Sequence, residues 1–138
     1  MRPYVKRRTL WVSIVMEKYF PDWKDWDEQV PIFDIRGLDR KTVETVGIGY
    51  FTRIMPRADA VAVKPDELLV LEFDKDMVFM HVRKLAAYID SVKSDFVREN
   101  WKKKKITGIY VIPAPEARIE DYCKRMGFRL IIEPEPVS

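Results

Sequence analysis

Between Met77 and Trp101 the apolar residues Val78, Val82, Leu85, Ile89, Val92 and Phe96 recur at spacings of 4, 3, 4, 3 and 4. That period predicts one long helix over 77–101, with a single apolar face laid on a sheet. Residues 6–20 carry a second helical stripe, formed by Leu10, Trp11, Ile14 and Val15 and widened by Val12 and Tyr19. Pro21 limits that helix on its C-terminal side. A third, shorter helix is expected over 116–126, where Ile119, Tyr122, Cys123 and Met126 share a face and Gly127 supplies the stop.

Other stretches alternate or run apolar with β-rich composition. Residues 29–36 read as a strand, with Pro31 near its start as an edge position allows. Residues 48–55 return to strand character. Their Gly47-Ile48-Gly49 is not a dinucleotide fingerprint, because no strand–turn–helix with a third glycine surrounds it; a bend or bulge is the expected use. Residues 106–112 and 128–132 complete the set, and Glu133 to Pro136 form a tail. Asp22 to Glu28 is too polar for core, although Trp23 and Trp26 cap it.

The most informative stretch is 57–75. Ala60 to Val63 and Leu68 to Phe73 are two strands separated by Lys64-Pro65-Asp66-Glu67, a turn sequence. Asp59 opens the first strand. In the second, Val70, Glu72 and Asp74 share one face and Leu69, Leu71 and Phe73 the other. An unpaired buried carboxylate costs several kcal/mol, on the order of 3–5 when a partner is removed, so a charge inside so apolar a strand needs a cation beside it or a cleft at the strand end. The element order is helix, strand, a meander ending in the hairpin, long helix, strand, helix, strand. It predicts an α/β fold, a mixed β-sheet flanked by helices, with residues 1–138 as a single domain.

Composition narrows the classes. The 138 residues are 47% hydrophobic with a net charge of +3, which excludes a disordered chain and places any nucleic-acid affinity in local patches. No apolar run approaches the ~20 residues that span a bilayer, and the N-terminal residues lack a signal-type apolar region, so an intracellular protein is expected. One cysteine, Cys123, permits neither an intrachain disulfide nor a cysteine-based zinc cluster, and its apolar helical face makes it inert core. One histidine, His81, excludes a metal site of imidazoles and reads as a partly buried structural residue. Gln29 and Asn100 are the only amides, a composition of thermophile type that favours an archaeal or archaeal-virus source.

An Asp on one hairpin strand, a Glu thirteen positions later on the next and a third polar group two residues on resembles the PD-(D/E)xK nuclease superfamily. That superfamily includes restriction endonucleases, archaeal Holliday-junction resolvases and transposase endonuclease subunits. Asp59 matches the motif's Asp and Glu72 its second acid. Ala58 stands for the motif's Pro, and Asp74 stands where the family has its Lys. The resemblance implies a restriction-endonuclease-like core that hydrolyses DNA with Mg²⁺ or Mn²⁺ held by Asp59 and Glu72, and Asp74, on the same strand face as Glu72, is expected in the catalytic site with its charge helping to bind the ion. A Glu on the first helix often joins the metal in the family, which points to Glu17; a solvated helix-edge Glu is the other reading. Glu28 and Gln29 lie where the family often has a Glu or Gln. Lys84 and Tyr88, four residues apart on one face, match a polar–Tyr pair facing the site.

With Asp74 unable to act as a cation, Lys84 is the expected catalytic cation. Lys75 should point to the opposite face unless a bulge intervenes, and Lys64 is farther off. Restoring a lysine at position 74 should keep or raise activity. The run Lys102, Lys103, Lys104 and Lys105 is either a phosphate-contacting patch, together with Arg57 and the basic Lys6-Arg7-Arg8, or a solubilising helix end. DNA is the expected partner, and a homodimer is implied by analogy with nucleases that cut both strands. A nuclease-fold protein that has lost catalysis and binds nucleic acid or a partner protein is the alternative, and an RNA-acting enzyme of the same fold fits the same residues.

Overall fold

A computed structural model gives the architecture, and it describes residues 3–32, 41, 45, 56–94 and 99–136. The elements are α1 (Pro3–Tyr19), β1 (Trp26–Pro31), β2 (Arg57–Val63), β3 (Glu67–Phe73), a 3-10 turn (Phe79–His81), α2 (Val82–Ser94), α3 (Glu99–Lys102), β4 (Lys105–Ile112), α4 (Ala117–Met126) and β5 (Arg129–Ile132). The strand expected over 48–55 and the stripe residue Phe96 lie outside the described residues. Among those described, the strands form one sheet in the order β1-β2-β3-β4-β5. β1–β2 and β2–β3 are antiparallel, while β3–β4 and β4–β5 are parallel. The parallel pairs follow from the helices that separate them, since a strand can return in the same direction only through a crossover.

Two apolar layers sandwich the sheet. On one face, α1 buries Trp11, Val12, Val15 and Met16 against Ala60, Ala62, Leu69, Leu71, Ile109 and Val111. On the other, α2 and α4 bury Val82, Leu85, Ile89, Val92, Ile119 and Cys123 against Val70, Tyr110 and Ile112. β3 is buried on both faces, which explains its nearly unbroken apolar run.

Two details of the helices differ from the sequence expectation. On α1 the buried stripe is rotated by one residue: Trp11, Val12, Val15 and Met16 are inside, whereas Leu10 is 48% exposed. The helix expected from 77 begins later, because Met77 adopts a left-handed φ of 52° that an α-helix cannot include. Val78 is consequently an exposed residue ahead of the 3-10 turn. The third helix is as expected. Glu116 caps it by accepting from Ile119 N at 2.8 Å, and Gly127, at φ 75°, ends it while Phe128 N donates to Cys123 O. Burial pushes the Cys123 thiol up to about 11.

The hairpin turn is held from outside. Lys104 donates from Nζ to Lys64 O and Pro65 O, both at 2.8 Å, and Lys105 N donates to Asp66 O. Part of the lysine run therefore fastens the β2–β3 turn. Trp11 meets Phe73 edge-on at 5.1 Å and donates to Glu133 O at 3.1 Å, which moors α1 to the end of β3 and to the chain beyond β5.

Gly108 sits where β4 passes beneath α2. A Cβ there would lie 2.7 Å from Ile89 Cδ1 and 2.8 Å from Phe128 Cδ1. Gly108→Ala is therefore expected to destabilise the protein by about 1–3 kcal/mol through overpacking, read as a lower urea midpoint at unchanged m-value. An unchanged midpoint would mean that both side chains swing aside at no cost.

Candidate active site

The last cross-strand pair between β2 and β3 is Ala60↔Leu71. One position further on stand Asp59 and Glu72. The side chains take over from the ladder: Asp59 N donates to Glu72 Oε1 at 3.2 Å, and Phe73 N donates to Asp59 Oδ2 at 2.8 Å. Each carboxylate thus accepts an amide from the opposite strand. A charged acceptor makes such a bond stronger than a neutral carbonyl would. Asp59 is 3% exposed, and its Oδ1 faces Gln29 Nε2 at 3.4 Å. Gln29 reaches it from β1 with its backbone at a φ of 53°, and Arg57 donates to Gln29 O at 2.9 Å.

These residues line a cleft of about 710 Å³ at the end of the sheet. β3 and the turn after it contribute Glu72, Asp74, Lys75 and Asp76; α2 and the 3-10 turn contribute His81, Lys84 and Tyr88. Leu10 and Trp11 of α1 and Glu135 of the tail close the other side. The family spacing of Lys84 and Tyr88 therefore corresponds to two residues facing the cleft. Lys75 also lines it, because β3 has ended and residues 75–76 form a turn, so strand alternation no longer sets its direction.

Asp74 has a different setting from the one expected. It is 6% exposed, and its two oxygens are engaged within the protein. Tyr110 donates from its hydroxyl to Oδ2 at 2.6 Å, and His81 Nδ1 lies 3.2 Å from Oδ1. Asp74 is thus an anchor for two side chains in the cleft that Asp59 and Glu72 also line. A lysine in its place would lose both bonds, so restoring the family's residue is expected to cost stability. Neither partner was assigned from sequence. Tyr110 is 36 positions away and meets Asp74 only through the parallel register that sets Glu72 beside Tyr110.

Two further groups named from the sequence lie away from the cleft. Glu17 is exposed and does not line the cleft. The cleft meets α1 at Leu10 and Trp11, and Glu17 is six residues on, about 9 Å along the helix axis. The lysine run is at the far end of the sheet, since Lys105 pairs with Glu67 while the carboxylate end of β3 is at Glu72. Five residues at about 3.3 Å each place it about 16 Å from the acids. Among the described residues, no group of three or more His, Cys, Asp and Glu side chains is arranged to hold a metal ion. No helix among them is long and apolar enough to cross a membrane.

The fold is shared with solved structures of other proteins. One is a repair endonuclease from Pyrococcus abyssi, with a TM-score of 0.53 at 16% identity over 91% of this chain and 46% of that one. Another is EndoMS in complex with double-stranded DNA, with a TM-score of 0.51 at 17% identity over 92% and 44%. EndoMS in its apo form gives 0.51 at 16% over 94% and 47%. The chain thus spans less than half the length of each of these structures. No protein-family model matches the sequence, and no curated protein does so significantly.

The Tyr110 hydroxyl is fully buried, and burial first, then the Asp74 carboxylate, hold its pKa well above the ordinary 10.0. Folding therefore favours the neutral phenol. This stabilisation is fully present below about pH 10 and declines as pH rises further, because only the unfolded chain releases the proton. Tyr110→Phe should cost about 1–3 kcal/mol at neutral pH by leaving Asp74 short of a donor, and should lose less stability than the wild type on going above pH 10. Urea titrations across that range check it; parallel alkaline losses in the two proteins would contradict the assignment.

Proposed function

We propose that the protein is a metal-dependent DNA endonuclease whose ion is held by Asp59 and Glu72. The observation that carries this reading is the pairing of those two acids at the point where β2 and β3 stop pairing, inside a cleft that also presents Lys75 and Lys84. Both donors are hard oxygens, and Mg²⁺ or Mn²⁺ is commonly bound through one or two carboxylates with water completing the shell. The donor set fits such a site and does not fit a cage of protein ligands. The fold shared with a repair endonuclease, and with EndoMS in its complex with double-stranded DNA, supports this reading.

When bound, the metal would supply Lewis-acid stabilisation of charge developing on the phosphate. The chain's own residues do the rest. Asp59, held by the Phe73 amide, and Glu72, held by the Asp59 amide, are pre-oriented. Lys75 and Lys84 offset the repulsion between these acids and a phosphodiester, and Arg57 and Gln29 form the β1 side of the cleft. A second reading, a nuclease-fold protein that binds without cutting, is favoured by one observation: the position of the family's lysine holds Asp74, engaged by Tyr110 and His81.

Cleavage assays on duplex, branched and single-stranded DNA with Mn²⁺, paired with calorimetric Mn²⁺ titration, distinguish the two. We expect the wild type to bind the ion and cut, and Asp59→Asn and Glu72→Gln, which retain acceptors for the two amides, to fold normally but neither bind nor cut. Ion binding unaffected by both substitutions would displace the metal site from these residues. Binding of DNA without cleavage in any metal would establish the second reading.

Salt dependence locates the DNA path. Replacing Lys75 and Lys84 with Ala should lower the log–log salt slope of DNA binding by up to about 0.9 per lost phosphate contact. The same change at Lys102 and Lys103 should have a smaller effect, because they lie at the far end of the sheet. An equal or larger effect there would mean that the nucleic acid runs along the sheet's length.

A further inference from the structure

We infer that His81 is the general base of this cleft, positioned by Asp74 and Tyr110, a role that rests on the nuclease reading and replaces the cation missing at position 74. Tyr110 is fixed in the core by its place on β4 and donates to Asp74 Oδ2 at 2.6 Å. Asp74 is fixed in turn by its own amide, which donates to Val111 O at 2.9 Å. The carboxylate's other oxygen meets His81 Nδ1 at 3.2 Å. In the proposed arrangement the imidazole donates from Nδ1 to that oxygen, and Nε2 is the basic nitrogen.

The chain of bonds runs from the interior outward. Tyr110 is fully buried, the Asp74 side chain is 5% exposed and the His81 side chain is 40% exposed, in the same cleft that holds Asp59 and Glu72. A merely structural histidine would be satisfied on both sides or turned into the core. This one is anchored at one nitrogen by a buried acid, is partly exposed and lines the cleft. It stands immediately before the helix that lines the site: His81 closes the 3-10 turn, and α2 starts at Val82. Its backbone is set by His81 N donating to Val78 O at 2.8 Å.

In the proposed step a water gives its proton to His81 Nε2 as its oxygen forms a bond to phosphorus. The phosphorus–oxygen bond to the leaving nucleotide breaks, and the leaving alkoxide takes a proton from solvent. His81 then returns its proton to solvent, so one water is consumed per bond cut. Asp74 and Tyr110 touch no reacting atom; they set the tautomer and the direction of the ring.

Two measurements test this. In ¹⁵N spectra of the folded protein, neutral His81 should carry its proton on Nδ1, and Asp74→Asn should abolish that preference while the fold persists. With Mn²⁺ and a DNA that the wild type cuts, His81→Gln should lower kcat by about 100-fold or more with little change in KM, and added imidazole should restore part of the rate to His81→Gly. His81 is partly exposed, so neither variant is expected to unfold. Full activity in His81→Gln, or an Nε2–H tautomer in the wild type, overturns the role of His81 while leaving the nuclease reading in place. A wild type that binds DNA but cuts none of the substrates overturns the nuclease reading and the general base with it.

Discussion

Where β2 and β3 cease to pair, two backbone amides would face the end of the sheet without strand partners. The protein satisfies them with Asp59 and Glu72, each reaching across to the other's strand. This exchange closes the hairpin, and it also brings two negative charges together at a place where the sheet opens into a cleft. Everything around it is arranged on that condition. Gln29 approaches on the β1 side, Tyr110 and Asp74 fill the β4 side, and Lys75 and Lys84 supply positive charge nearby. Two acids so close together are unfavourable unless hydrogen bonds or a cation compensate them, and the amide exchange provides the first kind of compensation within the chain itself.

The two halves of the cleft have different mechanical origins. Asp59 and Glu72 are held by backbone, through strands whose positions the sheet fixes. Lys75, Asp76 and His81 come from the short segment between β3 and α2, which contains the left-handed Met77. A segment of that kind can carry side chains into a site without obeying the alternation of a strand or the pitch of a helix. The hydrogen bonds from Tyr110 through Asp74 to His81 tie it back to β4.

Much of this was legible in the sequence, for physical reasons that also mark where legibility stopped. The hairpin could be read because Lys64-Pro65-Asp66 interrupts two apolar runs, and its two acids because charges do not occupy buried strands idly. The stripe Val82, Leu85, Ile89 and Val92 could be read because burial on one face imposes a helical period, and all four are buried. Leu10 was misassigned because Trp11, Val12, Val15 and Met16 make a stripe of the same spacing one residue along, and spacing alone does not choose between them. Glu17 was misplaced because the sequence shows a residue's angle around α1 but not how far along that helix the cleft lies. The setting of Asp74 was unreadable: Tyr110 reaches it only through the register of a parallel pair, which no local pattern encodes, and His81 through a turn whose shape depends on a positive φ. Lys104 carries no sequence sign that it fastens the turn at Lys64 and Pro65, because only the fold brings the two segments together.

The mooring of α1 bears on how the chain acquires its shape. Trp11 donates to the carbonyl of Glu133, and Lys18 and Tyr19 bind the Glu133 side chain at 2.9 and 3.2 Å. The sheet face that α1 covers includes Ile131 as well. These contacts join residues 122, 115 and 114 positions apart, so a chain emerging from the ribosome cannot make them until residue 133 has been synthesised. Until then the apolar side of α1 and one face of the growing sheet remain exposed together, and long-range closure of this kind slows folding and invites association with other chains. Of these elements α1 is made earliest and is in this respect among the last to be secured, and Glu133 is the residue on which its docking waits.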